Sequence, residues 1–521
     1  MAEAPLRLDP ELGHGAGPVP ADLAEGLATD GTPLLLQHDQ LLASLPPPPP
    51  APGPAFDWGQ ALASLHSALT DAVPILQWFF LLYFIVSNGS YILLNLMSLF
   101  KLLRYRREQV AATLVEDDAR YELPISLIVP VCDQASAVAA AVRAMLHLDY
   151  SEFEIIIVND GTGDETLEAL MREFSLAPFP EAYRDRLQTK PVKSIYASTV
   201  YPNLRLVDKE NGGKADALNA GINCARYPLY CGVDVAFTLQ RDTLRKMGRA
   251  FIGNPATVAA CSAVRTANGC VSNNGFMIKV GLPRNMLVLF GIVEQLRAYP
   301  PGAAWWSDRN AMLMLPGAFA VFRKETVVAA GAYRTDVVDE EMELVMRLHR
   351  LSRQANEPYR ISLVPDPVCW ETVAATMNAL KDRLVRRQRG LSESLEMNRQ
   401  LLFSRKGGMA GGLAFPLVLL FERLGPLIEL LGYGVMTALW LSGAISLQSF
   451  GAFMMVAIGL GMLLSVSGVA VEEMSLRYYP RIGSVLKLFA AALLENFGYR
   501  QLTAFWGLLG QQRRILRNAA K

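Results

Sequence analysis

Two short turns carry the residue types that acid–base chemistry and phosphate binding use. Residues 158–166, VNDGTGDET, predict a strand followed by an acidic, glycine-containing turn, with Asp160 at the strand end. Residues 209–221, KENGGKADALNAG, predict a lysine-flanked Gly-Gly turn that opens a helix. Carboxylates can accept protons or bind cations, and lysine binds phosphate. Structural roles stay open for both, because Asp160 could cap the next helix and the lysine turn could be only a helix start.

A third set of charged residues is an arginine cluster. Its members are Arg383, Arg386, Arg387 and Arg389. Guanidinium groups bind phosphate through paired hydrogen bonds, so the cluster could hold a diphosphate directly. It could equally be a basic face beside a membrane that contacts lipid phosphate. The sequence leaves both interpretations open.

The segment that carries these residues, 101–405, predicts an α/β domain. From residue 123 onward, short β-rich runs such as ISLIVPV and FEIIIVND alternate with helical runs such as ALMREF. This alternation indicates a parallel sheet wrapped by helices. Ligands of such sheets bind past the carboxyl ends of the strands, so we expect the site there.

The apolar run 75–100 predicts a transmembrane helix, because it contains no charge and can cross ~30 Å of hydrocarbon. Basic residues follow within 101–107, so the positive-inside rule places that end in the cytoplasm. Residues 1–74 are acidic and proline-rich and are expected to be disordered on the other side. A buried core helix is the alternative for the apolar run, and its length argues against it. No apolar segment opens the chain, so no cleaved signal peptide is expected.

Apolar runs return in a predicted C-terminal membrane region, 411–510. Residues 424–447 and 450–470 predict a membrane hairpin, in which Glu429 is the only charge and should face protein or the interface.

The last apolar run, 488–510, carries Glu495 and Arg500, so we expect an interfacial or re-entrant helix. Three spans satisfy the charge pattern most simply and place the basic tail, 511–521, in the cytoplasm.

Composition supports a membrane protein and excludes other classes. Half of the 521 residues are hydrophobic (51%) and the mean hydropathy is +0.22, which is high for a soluble enzyme. The net charge of zero argues against nucleic acid as a partner. The six cysteines form no Cys-x-x-Cys pair and the five histidines show no zinc-ligand spacing, so reduced thiols and no zinc site are expected.

In this order, VNDGTGDET and KENGGKADALNAG resemble the processive-type family 2 glycosyltransferases, the group that includes cellulose, chitin and hyaluronan synthases. The resemblance continues through RTANG (265–269), EEMELVMRLHR (340–350), RRQRGL (386–391) and ENFGYRQL (495–502). It covers roughly residues 75–510. It implies a GT-A domain, the α/β fold of nucleotide-diphospho-sugar transferases, inserted between transmembrane helices at the cytoplasmic (inner) membrane.

The resemblance also implies a role for each matching residue. Glu341 would be the base that takes the acceptor proton. The donor-binding residues would be Asp133, Asp160, Lys214, Asp216 and Asp234. The residues that hold the diphosphate or the acceptor end would be Arg383, Arg386 and Arg387. The family uses a divalent cation, Mg²⁺ or Mn²⁺, for which Asp234 would be the remaining ligand here.

The chain departs from the family pattern at reactive positions. The family's Asp-x-Asp is Asp-Val-Ala at 234–236, and alanine cannot bind a cation. The expected base is Glu341 where the family has aspartate. The Gln-x-x-Arg-Trp motif is Arg-Leu-Val-Arg-Arg at 383–387, and the turn after the first strand is PVCDQ, with its acid at Asp133.

Two functions are therefore open. The first is an inverting glycosyltransferase that moves a hexose-type sugar from a nucleotide sugar to a glycan or lipid-linked acceptor in polysaccharide synthesis. The second is a catalytically impaired subunit that binds or scaffolds a partner synthase. Membrane lipid, and for the second function another synthesis subunit, would be the further partners. A transporter is disfavoured by the large α/β segment and the few spans.

Overall fold

The computed structural model describes residues 58–113, 122–132, 135–162, 166–179, 182–273, 275–298, 300–315, 319–479 and 481–519. The predicted disordered head lies outside these residues as far as residue 57, and Asp133 also lies outside them.

A ten-stranded mixed sheet forms the centre of the α/β domain. Its strands, with the β9–β10 hairpin that pairs separately, are β1 (Ile125–Val131), β2 (Phe153–Asp160), β3 (Leu176–Pro178), β4 (Val192–Ser198), β5 (Leu204–Lys209), β6 (Leu229–Gly232), β7 (Phe237–Leu239), β8 (Thr257–Thr266), β9 (Val271–Asn273), β10 (Phe276–Lys279), β11 (Ala320–Arg323) and β12 (Arg360–Glu371). The runs ISLIVPV and FEIIIVND are β1 and β2, as the sequence predicts.

The strand order is β3-β4-β5-β2-β1-β6-β11-β8-β12-β7. Strands β5, β2, β1 and β6 run parallel, as expected, and β8 and β12 are also parallel. The expectation of a wholly parallel sheet is wrong, because β11 is antiparallel to both of its neighbours and β3, β4 and β7 pair antiparallel at the margins. The predicted α/β class is confirmed, with a mixed sheet.

Two apolar layers cover the sheet, one on each face. Side chains alternate along a strand, so Leu127 and Val129 of β1 point into one layer and Ile128 points into the other. All three are fully buried, as strands covered on both faces require. The sheet is therefore a rigid platform, and polar residues just past its strand ends are held in fixed positions.

The helices that follow the strands, and those outside the domain, are α1 (Trp58–Thr113), α2 (Ala135–Leu146), α3 (Thr166–Glu173), α4 (Lys214–Cys224), α5 (Thr243–Gly253), α6 (Met286–Ala298), α7 (Pro300–Asp308), α8 (Lys324–Ala329), α9 (Glu340–Ala355), α10 (Met377–Met397), α11 (Gly425–Leu441), α12 (Leu447–Ser475), α13 (Ile482–Leu494) and α14 (Tyr499–Ala519). Residues 410–423 form a wide helical stretch of π and α turns. Residues 58–74, assigned by sequence to the disordered head, are the first turns of α1, and their alanines and leucines favour a helix.

Among the described residues, two helical segments are long and apolar enough to cross a membrane by length and composition: Asp71–Arg107 within α1, and α12. Phe80 and Phe84 of α1 pack with Met436 of α11 and Phe453 of α12 in one apolar cluster. The two segments contain the predicted spans 75–100 and 450–470. The prediction of three spans stays a prediction.

The other predicted membrane segments are broken by turns. Helix α11 covers only the first part of 424–447, because a turn with Gly443 at φ 76° follows it. The run 488–510 is divided between α13 and α14 at Gly498, which has φ 96°. Arg500 of α14 lies 3.0 Å from Glu429 of α11, so the charges of these two segments neutralise each other inside the helical region.

Candidate active site

A cleft of about 540 Å³ opens past the carboxyl ends of β6, β8 and β12. Charged residues from separate parts of the chain line it: Lys214, Asp234, Glu294, Asp339, Glu340, Glu341, Glu371, Arg383, Arg386 and Arg387. Five sequence-predicted site residues besides Lys214 are thus brought together. Its volume lies in the range of small-molecule sites, about 300–1,000 Å³.

Asp160 lies at the end of β2 and holds the Gly-Gly turn of the lysine motif. Its carboxylate accepts hydrogen bonds from the backbone N–H groups of Gly212 (2.9 Å) and Gly213 (2.7 Å). The ammonium of Lys209 lies 2.6 Å from the same carboxylate. Gly213 has φ 87°, a conformation that favours glycine. Asp160 is buried and does not line the cleft; it fixes the turn from which Lys214 extends.

Asp216 also belongs to this internal network. The Lys209 ammonium lies 2.6 Å from its carboxylate, which additionally accepts from the Lys190 N–H at 3.2 Å. A Cβ on Gly212 would meet an Asp216 oxygen at 2.4 Å, so the turn needs glycine there. Asp216 is buried and lies outside the cleft lining. One buried lysine is thus the ion-pair partner of both acids of the two motifs.

Lys214 begins α4 and extends into the cleft. Its ammonium lies 2.9 Å from Glu340 and 4.0 Å from Glu341, and 40% of the side chain is exposed. Burial alone would lower the pKa of Lys214, but the nearby carboxylates of Glu341, Glu340 and Asp234 raise it above its ordinary value. Lys214 is therefore a permanent cation among acidic groups.

Like Glu340, Glu341 is a buried acid of the cleft. Burial raises the pKa of its carboxyl to about 8; Lys214 opposes the rise, while Glu340, Asp339 and Asp234 add to it. A carboxyl that titrates near neutral pH can take up and release a proton under working conditions. Glu341 thus has the protonation behaviour of a general base or acid.

Three contacts at the start of α9, two of them with α10, fix the position of Glu341. The carboxylate of Asp339 caps α9 by accepting from the Met342 N–H at 3.0 Å. Glu393 of α10 accepts from the Val338 N–H at 3.0 Å. A Cβ at Gly390 would lie 2.5 Å from Cβ of Asp339, so only glycine permits this approach. The acids of α9 and the arginines of α10 are therefore held as one unit.

The arginines of α10 differ in their partners. Arg383 lies 3.5 Å from Glu371, and Arg387 lies 3.8 Å from Glu294. Arg386 is exposed at the cleft and has no hydrogen-bond or ion-pair partner among the described residues. Arg389 is outside the lining and pairs with Glu393 at 2.9 Å. Arg386 is thus the guanidinium that an anionic ligand would meet without competition.

A family model described as "Glycosyl transferase family 2" matches residues 126–180, which cover β1 to β3. A poly-beta-1,6-N-acetyl-D-glucosamine synthase of Staphylococcus epidermidis is 25% identical over 283 residues, 54% of this chain and 58% of the relative. The synthase of the same name from Staphylococcus aureus (strain COL) is 25% identical over 272 residues, 52% of this chain and 55% of the relative. The chain resembles family 2 glycosyltransferases. The matches span little more than half the length of these curated relatives.

Two solved structures align with most of this chain at low identity. A mannosyltransferase, PcManGT, from Pyrobaculum calidifontis in complex with GDP-Man and Mn²⁺ has 17% identity and a TM-score of 0.47, over 80% of this chain and 99% of that one. S. aureus TarS 1–349 has 14% identity and a TM-score of 0.32, over 73% of this chain and 92% of that one.

The residues do not fit the divalent cation that the family resemblance implies. One oxygen of Asp234 accepts the Ala236 N–H at 3.0 Å, and Ala236 has no ligand atom. In the part of the chain that the structure describes, no group of three or more His, Cys, Asp or Glu side chains could hold a metal ion. The acids Glu340 and Glu341 lie beside the Lys214 ammonium instead.

Sequence reasoning missed several residues of the cleft. Glu294 comes from α6 and Glu371 from the end of β12, in segments that carry no motif. Asp339 directly precedes EEMELVMRLHR and is recognisable afterwards as its helix cap. Of the other predicted residues, Asp160 and Asp216 lie behind the cleft, and Asp133 is outside the described residues.

Proposed function

We propose that this chain is a membrane-embedded family 2 glycosyltransferase that transfers a hexose-type sugar from a nucleotide sugar to a glycan or lipid-linked acceptor in polysaccharide synthesis. The observation that carries the proposal is one cleft that joins a buried acid of raised pKa, Glu341, to the cations Lys214 and Arg386. This is the combination that sugar transfer from a diphosphate requires. The curated relatives, named as N-acetyl-D-glucosamine polymer synthases, support the same reaction class.

The residues have distinct roles in the proposed reaction. The acceptor hydroxyl attacks the anomeric carbon of the donor while its proton passes to Glu341. The bond between the anomeric carbon and the diphosphate oxygen breaks, and the nucleoside diphosphate leaves with the electron pair beside Arg386. Asp234 contacts the donor, and Asp160 and Asp216 act by holding the turn that presents Lys214. Attack from the face opposite the leaving group inverts the anomeric configuration.

The decisive experiment is turnover by the purified full-length chain across nucleotide sugars that carry N-acetylglucosamine, glucose and mannose. Glu341→Gln should lower kcat about 100- to 10,000-fold, because it removes the proton acceptor. Glu357→Gln, which changes an exposed glutamate just beyond α9, is the matched control and should leave kcat unchanged. For the wild type, kcat/KM should rise with pH and level off above about 8, where Glu341 is ionised. Absence of turnover with every donor contradicts the proposal.

A scaffold subunit is the second candidate, and Ala236 is the observation that favours it. Loss of a metal charge is worth several kcal/mol of transition-state stabilisation, or about 100- to 10,000-fold in rate. A scaffold would bind a nucleotide sugar or a partner synthase without consuming the donor. Glu341→Gln would then leave the cellular phenotype intact, whereas it abolishes the phenotype of a working transferase.

A further inference from the structure

We infer that the Lys214 ammonium takes the place of a divalent cation in this site and neutralises the leaving diphosphate itself. The inference rests on the proposed transferase function and names how the donor's charge is met. It starts from a disagreement between the chain and its family pattern. Ala236 removes one of the paired acids, and a lysine occupies the cleft in which a cation would be expected.

Acidic groups surround the Lys214 ammonium. It is 2.9 Å from Glu340 and 4.0 Å from Glu341, and Asp234 acts on it electrostatically. These carboxylates would be the attractive groups for a metal ion, and a cation on a covalent tether already compensates part of their charge. A second cation beside Lys214 would meet repulsion. The acidic wall therefore serves to keep a lysine charged and aimed into the cleft.

The backbone that carries Lys214 is held in place. Lys214 directly follows Gly213, whose N–H is bound to the Asp160 carboxylate, and Asp160 is itself neutralised by Lys209. The backbone at the base of Lys214 is thus fixed by a buried network. Charge that is fixed before reaction needs little reorganisation as the leaving group develops negative charge. With 40% of its side chain exposed, the lysine remains accessible to a ligand.

The cations of the cleft differ in their ion-pair partners. Arg383 and Arg387 are paired with Glu371 and Glu294, and Arg386 has no partner in the described part of the chain. Arg386 can then approach a diphosphate without leaving a partner, whereas Lys214 must exchange its 2.9 Å pair with Glu340 for the phosphate. When the donor binds, its phosphate oxygens replace Glu340 as the partner of Lys214. When the bond to the anomeric carbon breaks, the electron pair stays on the phosphate oxygen that Lys214 neutralises.

The test uses the purified full-length chain and two probes, UDP and GDP. Binding of each is measured by calorimetry in excess EDTA and again with Mn²⁺, for the wild type, Lys214→Met, Lys214→Arg and the control Lys246→Met. Lys246 is paired with Asp242 at 2.8 Å on α5 and is outside the cleft lining. Turnover of the best donor is measured under the same conditions. The double variant Lys214→Met with Ala236→Asp restores the paired acids and removes the lysine.

We expect wild-type binding and turnover to persist in EDTA. Lys214→Met should weaken diphosphate binding at least tenfold and lower kcat about 100- to 1,000-fold, as loss of one charge-stabilising group does. Lys214→Arg should keep part of both, Lys246→Met all of both, and only the double variant should gain from Mn²⁺. The inference is overturned if the wild type needs Mn²⁺ or Mg²⁺ for binding or turnover, if Lys214→Met behaves like Lys246→Met, or if neither probe binds.

The two proposals fail in different ways. If UDP or GDP binds in EDTA through Lys214 but no nucleotide sugar is turned over, Lys214 is a diphosphate-binding cation, and the transferase function is refuted together with the leaving-group role that rests on it. If turnover occurs and depends on a metal ion, the transferase function stands and the cation role is refuted.

Discussion

Two lysines of one motif meet carboxylates in opposite ways. Lys209 is fully buried and lies 2.6 Å from both Asp160 and Asp216, so its ammonium pairs only with groups inside the fold. Lys214 is partly exposed and faces Glu340 and Glu341 across a cleft that also contains Arg386. Within one motif, Lys209 therefore holds the backbone of the turn, and Lys214 is available to a ligand.

Lys209→Met should have the largest effect. It tests whether Lys209 has the structural role of pairing with Asp160 and Asp216. The change leaves two carboxylates buried without their cation, and breaking a buried ion pair destabilises a protein by about 3–5 kcal/mol. We expect a large drop in apparent Tm in detergent, or loss of folded protein. Lys193→Met, which changes an exposed lysine of β4, is the matched control and should not shift Tm. A folded Lys209→Met protein that has lost only nucleotide binding would place Lys209 in the ligand site and end the distinction.

Gly390→Ala has the next largest expected effect. It tests whether the charged groups of the cleft depend on the contact between α9 and α10. The new methyl group would lie 2.5 Å from Cβ of Asp339, so α10 must move away from the start of α9. A shift of about 1 Å between Glu341 and the arginines can lower kcat about 100-fold.

Gly459→Ala is the control for Gly390→Ala, because Gly459 lies within α12 with nothing within 4 Å of its added Cβ. Its turnover should equal that of the wild type. Equal turnover by both variants would show that the cleft tolerates movement of α10.

These experiments concern features that the sequence reveals only in part. The strands β1 and β2 were predictable because they are continuous β-branched and aliphatic runs, and the site was predictable as lying past strand ends. The antiparallel strand β11 was not, because Ala320–Arg323 is only four residues long and a local pattern does not fix the direction of a strand. Local pattern therefore gave the class of the domain and missed the mixed order of its sheet.

The division of roles within the site also depends on distant residues. Asp160 and Lys209 are brought together by the parallel pairing of β2 with β5, where they lie opposite each other. No local spacing in the sequence shows that this lysine will form an ion pair with Asp160. Likewise, Glu294 reaches the cleft from α6 only through the packing of that helix on α12 and α13. Motifs identified Lys214, Asp234, Glu341 and Arg386, but which acids remain available is a property of the tertiary structure.

Glu341→Gln tests the same comparison through stability. The pKa of Glu341 is raised from 4.5 to about 8, so the folded chain favours the protonated carboxyl. The stability that protonation contributes is complete below about pH 4.5 and is lost as the pH rises through about 8. Each pKa unit corresponds to about 1.4 kcal/mol, so even half of this shift makes Gln about 2 kcal/mol more favourable at pH 8 than at pH 5, relative to Glu.

Thermal unfolding between pH 5 and pH 8 measures this effect. The Tm of Glu341→Gln should exceed that of the wild type increasingly as the pH rises, whereas Glu357→Gln should follow the wild type at every pH. Parallel curves for all three proteins would mean that Glu341 is ionised in the folded state at neutral pH, and that Lys214 satisfies it as Lys209 satisfies Asp160.

Arg386→Ala should have the smallest effect. It tests whether an arginine without an ion-pair partner in the described chain binds a ligand. Arg386 has no partner in the described chain, so its removal leaves no buried group unpaired and should not change Tm. Loss of one charge-assisted hydrogen bond to a diphosphate costs about 1.5–3 kcal/mol at most, and about tenfold weaker UDP or GDP binding is expected where water replaces it. Arg399→Ala, an exposed arginine outside the cleft lining, is the control and should bind as the wild type does. Unchanged binding with a lowered Tm would mean that Arg386 supports α10 rather than a ligand, and the only available cation of the cleft would then be Lys214.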